Sequence, residues 1–174
     1  MKKLISITNK DITGDENLSS IMPRIAVGVV LFDEAKNIAL SHIGIWDLHG
    51  LPGGGVDDGE DYETAAKREV LEETGCNCEI LTEIGMTYEN WGEQPGERGF
   101  VQEKYHYLAK VVGEKGELHL DDYEIASNTT VRWYPLEQAI QIITDRPSEN
   151  TPEEFFKRRN LAVLHEVSKG AYLC

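Results

Sequence analysis

The sequence has few basic residues for its length. Of 174 residues, 17 are Lys or Arg and 31 are Asp or Glu, so the formal net charge is -14. An acidic protein of this kind is a poor partner for a nucleic-acid polymer or an anionic membrane, because both require a basic surface. A small phosphate ligand remains compatible with this charge, since a bound divalent cation reverses the local sign.

Long apolar runs and cysteines are also scarce. No run approaches the ~18 apolar residues of a membrane span. The first ten residues, MKKLISITNK, carry too short an apolar stretch for a secretory leader, so we expect none. The three cysteines, two of them at Cys76 and Cys78, predict free thiols and a cytoplasmic location. A zinc site at this pair is the alternative, although a second ligand pair at usable spacing is missing.

The apolar patterns that are present predict a mixed sheet covered by helices, an α+β fold in one domain. Residues 21–174 are predicted to form that domain, and residues 1–20 a loosely held arm or an edge strand. Strands are predicted at 24–33, 38–43, 78–89, 100–112 and 130–136, with an exposed loop at 90–99.

Three helices are predicted. The first is acidic and ends near Thr74, with Gly75 as its C-terminal cap. A short amphipathic helix follows at 136–144. The last is predicted to begin with Thr151 as N-cap and to run to Gly170. Its apolar residues are sufficient to dock on the sheet, and a surplus apolar face there would also support a homodimer.

The stretch GGGVDDGEDYETAAKREVLEETG, residues 53–75, is the most informative part of the sequence. At about 100° per residue, Glu69, Glu72 and Glu73 fall on one side of a helix. A solvated charged face would place a base four residues after each acid, but Glu73 and Cys76 occupy those positions. Clustered carboxylates repel one another, and a hard cation such as Mg²⁺ relieves that repulsion.

Three glycines precede this helix. Gly53, Gly54 and Gly55 follow Pro52 and allow the backbone to approach a ligand closely, where its carbonyls can complete a metal shell. The turn is not a phosphate-binding P-loop, because Gly-Lys-Ser/Thr is missing at the required spacing. A glycine turn at fixed spacing from Glu60, Arg68 and the three glutamates predicts a metal site.

These residues resemble the box of the Nudix hydrolases, G-x5-E-x7-R-E-U-x-E-E-x-G-U, where U is a bulky aliphatic residue. The matching positions run from Gly54 through Glu60, Arg68, Glu69, Val70, Glu72, Glu73 and Gly75 to Cys76. The one departure is Cys76 at the last aliphatic place, and cysteine packs as a small hydrophobe. The resemblance implies the family's α/β/α sandwich and a metal-dependent pyrophosphohydrolase. Its substrate would be a nucleoside diphosphate linked to a moiety X, and its cofactor Mg²⁺ or Mn²⁺.

The resemblance also implies roles for the metal-binding residues. Glu69 and Glu73 would be the main metal ligands, and Glu72 a further ligand or a base. The Gly53 carbonyl would complete the shell. Arg68 would hold the glutamates by salt bridges, and Glu60 would fix the geometry between loop and helix.

A further acid from the loop before the last strand often takes part in this family. Asp122 and Glu124 are the candidates here, with Glu103 a third, and we choose Glu124. His49 could touch a phosphate or act as a base, or it could be a loop histidine with no chemical task.

The sequence says less about the substrate itself. Trp91 and Tyr88 are candidates to stack on a nucleobase, with core packing as the alternative for both. We expect a small nucleotide substrate rather than a nucleic-acid polymer or a membrane. Two other functions remain open: a nucleotide-sensing module without turnover, and a structural cation-binding domain.

Overall fold

The computed structural model of the chain describes residues 1–92 and 99–170, which contain seven strands and five helices. The strands are β1 (Lys3–Thr8), β2 (Arg24–Phe32), β3 (Asn37–Ile43), β4 (Leu48–Gly50), β5 (Asn77–Trp91), β6 (Phe100–Val112) and β7 (Thr129–Pro135). The helices are α1 (Asn9–Ile12), α2 (Tyr62–Thr74), α3 (Asp122–Ala126), α4 (Leu136–Asp145) and α5 (Thr151–Ser168). None of the described helices is both long and apolar enough to cross a membrane.

The strands form one mixed sheet, as predicted. Their order is β1-β5-β6-β2-β3-β4, and β7 pairs with β3. The β1–β5 and β2–β6 pairs are parallel, whereas β5–β6, β3–β4 and β3–β7 are antiparallel. The N-terminal strand β1 therefore lies at one edge of the sheet.

Strand β2 is central because its apolar run can be buried on both faces. Its alternate residues Val27 and Val29 face α2, together with Ala65, Ala66 and Val70 of that helix. Val30 and Phe32 face the other way, against a cluster that includes residues of α4 and α5. The sheet thus lies between α2 and the α4–α5 pair, which confirms the predicted α/β/α sandwich.

The backbone of the glycine turn, residues 52–56, is hydrogen-bonded to β2. The amide of Val27 donates to the Gly54 carbonyl and that of Val29 to the Pro52 carbonyl, both at 2.9 Å, and Val56 donates to Ile25 at 3.2 Å. The turn therefore continues the sheet's hydrogen bonding beyond the end of β4. This attachment fixes the turn next to the first residues of β2.

Helix α2 is capped at both ends, and its C-terminal cap is the one that the sequence predicts. Asp61 caps its N-terminus by accepting from the Thr64 amide at 3.0 Å. Gly75 follows its last residue with φ +69°, a left-handed conformation that favours glycine. A side chain at Gly75 would also lie 2.6 Å from the Gly116 carbonyl.

Several sequence predictions for the elements need correction. The N-cap of α5 is Asn150, which accepts from the Glu153 amide at 3.0 Å, and Thr151 is the first helical residue. Helix α5 ends at Ser168 rather than Gly170. Strand β5 extends to Trp91, into the predicted 90–99 loop, while residues 93–98 lie outside the described ranges. The short elements β4 and α3 were missed because each is too brief to show a period.

Two other sequence predictions concern cysteine and oligomeric state. Cys76 and Cys78 are free thiols, and Cys174 lies outside the described residues. The apolar face of α5 is used within the chain, with Phe155, Val163, Leu164 and Val167 buried. The homodimer remains a prediction.

Candidate active site

An open cleft of about 410 Å³ lies where α2, the glycine turn and β6 meet α3 and α5. The acidic wall, as we call it, comprises the glycine turn and four acids: Gly53, Gly54, Gly55, Glu69, Glu73, Asp121 and Glu124. The basic wall comprises basic and polar side chains: Arg24, Gln102, Lys104 and Arg159. Positive and negative groups therefore line the same cleft.

Glu73 is buried at the base of the acidic wall, only 6% exposed. Its Oε1 accepts from the Gly53 amide at 2.7 Å, and its Oε2 accepts from the Ser41 hydroxyl. Burial raises the pKa of Glu73, although both hydrogen bonds oppose that shift. The side chain is thus fixed in place at a cost that a nearby cation would offset.

Glu69 lies one turn earlier on α2 and directly against the glycine turn. A Cβ at Gly54 would lie 2.5 Å from its Oε2, so only glycine leaves room for this carboxylate. Burial raises the pKa of Glu69, and Arg68 opposes the shift by donating to Oε1 at 2.8 Å. The glycine turn and the helix therefore position the same carboxylate.

Arg68 connects the loop to the helix. Its guanidinium forms a bidentate pair with Glu60, at 3.0 Å and 2.9 Å, and donates to the Gly55 carbonyl at 2.9 Å. Hydrogen bonding from Arg68 is the main reason that the pKa of Glu60 is lowered. These contacts are expected of a residue that joins the glycine turn and Glu60 to helix α2.

Glu72 occupies a different position from Glu69 and Glu73. Its Oε2 accepts from Arg68 at 3.1 Å, and its side chain is 38% exposed. It is not among the described residues that line the cleft. Arg68 Nη1 donates to both Glu72 and Glu69, which keeps Glu72 close to the cleft.

Of the three candidates for a distal acid, only Glu124 lines the cleft. It belongs to α3, where its carboxylate accepts from the Asp121 amide at 2.8 Å. Burial raises the pKa of Glu124, and the charges of Asp121, Glu69 and Glu72 raise it further. Glu103 instead accepts from the Tyr105 hydroxyl at 3.0 Å.

The basic wall is built from residues that the sequence patterns did not single out. Lys104 of β6 is 7% exposed and lies beside the glycine turn, with Nζ 3.4 Å from the Gly53 carbonyl. Burial is the main cause that lowers the pKa of Lys104. Arg159 of α5 donates to Glu89 at 2.7 Å, and its buried Nε has no hydrogen-bond partner among the described residues. An anion entering the cleft would meet both cations.

The structure does not bring Trp91, Tyr88 or His49 into the described lining of the cleft. The Trp91 ring packs against Phe100 and Phe155, at centroid distances of 5.7 Å and 5.8 Å. The Tyr88 hydroxyl accepts from Asn90 at 3.0 Å. These contacts favour the packing alternative for both aromatic residues.

Other aromatic side chains line the cleft, where Trp91 and Tyr88 were expected. Phe100, Tyr123 and Phe156 line the cleft, and the last two also line an apolar groove that continues from it. This groove of about 470 Å³ also includes Trp46, whose ring centroid is 6.1 Å from that of Tyr123. Tyr123 and Trp46 are 56% and 44% exposed, which is an exposed aromatic pair.

Relatives of named activity match parts of the chain. An RNA pyrophosphohydrolase of Caulobacter vibrioides is 37% identical over 103 residues, which cover 53% of this chain and 59% of that protein. A putative 8-oxo-dGTP diphosphatase of Bacillus subtilis is 44% identical over 61 residues, covering 33% of this chain and 39% of that protein. The chain thus matches less than two thirds of the length of either relative.

The fold has a close counterpart among solved structures. A NUDIX hydrolase from Nitrosomonas europaea superposes with a TM-score of 0.61 at 17% identity, covering 87% of this chain and 92% of that one. The family model of the NUDIX domain matches residues 22–158, which span the glycine turn, the acidic helix and the acid of α3. The chain therefore belongs to the NUDIX family.

Proposed function

We propose that the protein is a metal-dependent pyrophosphohydrolase that cleaves a phosphoanhydride bond in a nucleoside triphosphate or a nucleoside diphosphate linked to X. The observation that carries this proposal is that acids and bases line one cleft. The carboxylates of Glu73, which is buried, and Glu69, which is partly buried, share this cleft with the cations of Lys104 and Arg159. A phosphate chain needs both: positive charge for its own oxygens, and acids to hold the metal that accompanies it.

The acidic wall suits Mg²⁺ or Mn²⁺. Its donors are all oxygens, from Glu69, Glu73 and the Gly53 carbonyl, with Glu72 as a further candidate, and hard divalent cations prefer such donors. Burial raises the pKa values of Glu69 and Glu73, and a bound cation would oppose that shift. Divalent cations held there would supply positive charge to the anhydride and to the attacking water.

The remaining steps belong to side chains of the chain. Lys104 and Arg159 bind and orient the phosphate oxygens, which lowers the charge that repels an attacking water. Glu124 accepts the proton of that water as its oxygen bonds to phosphorus and the bridging P–O bond breaks. Burial raises the pKa of Glu124, and a carboxylate with a raised pKa is a stronger base. Arg68 and Glu60 hold the metal-binding carboxylates in position beside the glycine turn.

The relatives support the reaction class. The names of the Caulobacter vibrioides and Bacillus subtilis relatives, RNA pyrophosphohydrolase and putative 8-oxo-dGTP diphosphatase, both describe hydrolysis of a phosphate chain. The apolar groove beside the cleft would take the nucleobase or the X moiety. In this arrangement Trp46 and Tyr123 are the stacking residues, in place of Trp91 and Tyr88.

The test is a product-resolved assay with Mg²⁺ across nucleoside triphosphates, ADP-ribose, nucleotide sugars and dinucleoside polyphosphates. We expect release of a nucleoside monophosphate from at least one of them. Glu69→Gln and Glu73→Gln should each lower kcat by more than the roughly 10–100-fold cost of removing an outer-sphere partner of a metal ligand. Glu63→Gln, at an exposed position on the same helix, is the matched control. Undiminished turnover in the Glu69/Glu73 double variant would overturn the proposal.

The same assay separates the proposal from the two functions left open by the sequence. A sensing module would bind a nucleotide without forming product. A structural cation-binding domain would be stabilised by metal without turnover, so stabilisation alone cannot tell it from an enzyme.

A further inference from the structure

A second group of potential metal ligands lies on the β3–β4 hairpin, away from the cleft. Ser41 of β3 turns toward Glu73, so the next residue, His42, projects from the opposite face of the strand. His42 is paired across the hairpin with His49 of β4, and the two imidazole rings stack with centroids 4.3 Å apart. Asp47, in the turn between the strands, lies with Oδ1 2.8 Å from His42 Nε2.

We propose that His42, Asp47 and His49 form a binding site for Zn²⁺ or a similar transition-metal ion, separate from the carboxylate site. Each residue offers one ligand atom, and these atoms all lie within 4.8 Å of one another. Ligands of tetrahedral zinc at 2.0–2.1 Å are about 3.3 Å apart. A metal–nitrogen bond lies in the plane of the imidazole, so binding would turn the two rings out of their stacked arrangement and change the separations by up to about 1.5 Å.

An unpartnered nitrogen provides the second observation. His49 Nε2 is buried and makes no hydrogen bond to any described part of the chain. A buried polar atom without a partner is destabilising, and a bound metal would satisfy it. A neutral imidazole nitrogen without a hydrogen-bond partner has a lone pair available for a metal.

The backbone of the turn that carries Asp47 is also held in position. Asp47 has φ +49°, an unusual conformation for a residue other than glycine. Arg146 stabilises it by donating to the carbonyls of Asp47 and Trp46, at 2.9 Å and 2.6 Å. The charge of Arg146 is itself paired with Glu153 at 2.7 Å, which reduces its repulsion of a bound cation.

Donor chemistry separates this site from the one in the cleft. Imidazole nitrogens select zinc, copper or nickel over Mg²⁺, whereas a shell made only of oxygens suits Mg²⁺. With three protein ligands, one coordination position would remain for water. Because Trp46 belongs to the same turn, a bound ion would also fix one side of the apolar groove.

The experiment is a calorimetric titration of the chelator-treated protein with ZnCl₂ in excess Mg²⁺. We expect one Zn²⁺ to bind per chain, and to bind equally to the Glu69→Gln/Glu73→Gln variant, whose carboxylate site is disabled. His49→Gln and Asp47→Asn should each weaken this binding at least tenfold, while His165→Gln, at an exposed position on α5, should not. His42 is too buried to serve as the test variant.

Two further measurements make the result independent of activity and of folding. X-ray absorption at the zinc edge should show two imidazole ligands. In thermal unfolding, Zn²⁺ should raise the midpoint of the wild type but not that of His49→Gln, and the two proteins should unfold alike without metal. The proposal is overturned if wild-type protein binds no Zn²⁺ in excess Mg²⁺, or if both hairpin variants bind it as tightly as the wild type.

Discussion

Glu73 shows how a single buried carboxylate links stability to metal binding. Because burial raises its pKa in the folded state, the folded protein holds a proton that the unfolded chain releases near the ordinary pKa. Folding stability is therefore favoured at low pH and lost as pH rises from the ordinary carboxyl pKa toward the raised one. The slope for one carboxyl is at most about 1.4 kcal/mol per pH unit.

Glu73→Gln should remove this penalty. We expect the variant to be more stable than the wild type in EDTA, by a margin that grows between pH 5 and pH 8. Urea unfolding at several pH values measures the margin, with Glu63→Gln as the control. A margin that shrinks as pH rises would show that Glu73 is stabilised as the anion by groups other than a metal.

Gly54 tests the contact between the glycine turn and Glu69. A Cβ there would lie 2.5 Å from Glu69 Oε2 and force the carboxylate aside. Gly54→Ala should lower Mg²⁺ affinity at least tenfold while leaving stability in EDTA within about 1 kcal/mol of wild type. Gly55→Ala, where the added atom meets only the flexible end of Arg24 at 3.1 Å, should keep its metal affinity. Equal losses in both variants would count against the carboxylate contact.

At the scale of elements, α2 and the glycine turn act together through Arg68. Arg68→Lys keeps the charge but loses the bidentate pair with Glu60, so the turn and helix are no longer clamped. We expect Mg²⁺ affinity to fall by about 10–100-fold. Arg158→Lys on α5 is the same substitution outside the cleft and should have no such effect. A metal titration followed by calorimetry compares the two.

Helix α5 depends on its own N-terminal cap. Asn150→Ala should destabilise the protein by about 1 kcal/mol, because the Glu153 amide loses its acceptor. Thr151→Ala should stay within about 0.5 kcal/mol of wild type, since Thr151 is the first helical residue and not the cap. Chemical denaturation of both variants distinguishes the two positions, and a larger loss for Thr151→Ala would restore it as the cap.

The elements also show why part of the site was predictable. Glu69 and Glu73 could be placed because both lie on one helix, where a known period relates sequence spacing to direction. Lys104 and Arg159 could not, because β6 and α5 come to the cleft only through the folding of the whole chain. The same limit explains why Trp91 was expected at the substrate. The sequence shows how many residues separate Trp91 from α2, but it does not show that β5 brings the Trp91 ring against Phe155.

At the scale of the whole molecule, the net negative charge disfavours a long nucleic acid, whereas the cations of the cleft favour a short phosphate chain. The net charge of -14 repels a long phosphate backbone, whereas Lys104 and Arg159 are confined to the cleft. If a 5′-triphosphorylated RNA is a substrate, kcat/KM should not rise as the RNA is lengthened from two nucleotides to about twenty. Matched RNAs of increasing length at fixed salt test this. A tenfold gain with length would reveal a cationic track outside the cleft.

The backbone pairing of residues 52–56 with β2 has a mechanical consequence. That wall of the cleft is anchored in the most protected part of the sheet, so its amides should exchange with deuterated solvent as slowly as those of the core. The five-residue helix α3 lines the same cleft, and none of its residues is buried. Its amides should therefore exchange much faster than those of the glycine turn.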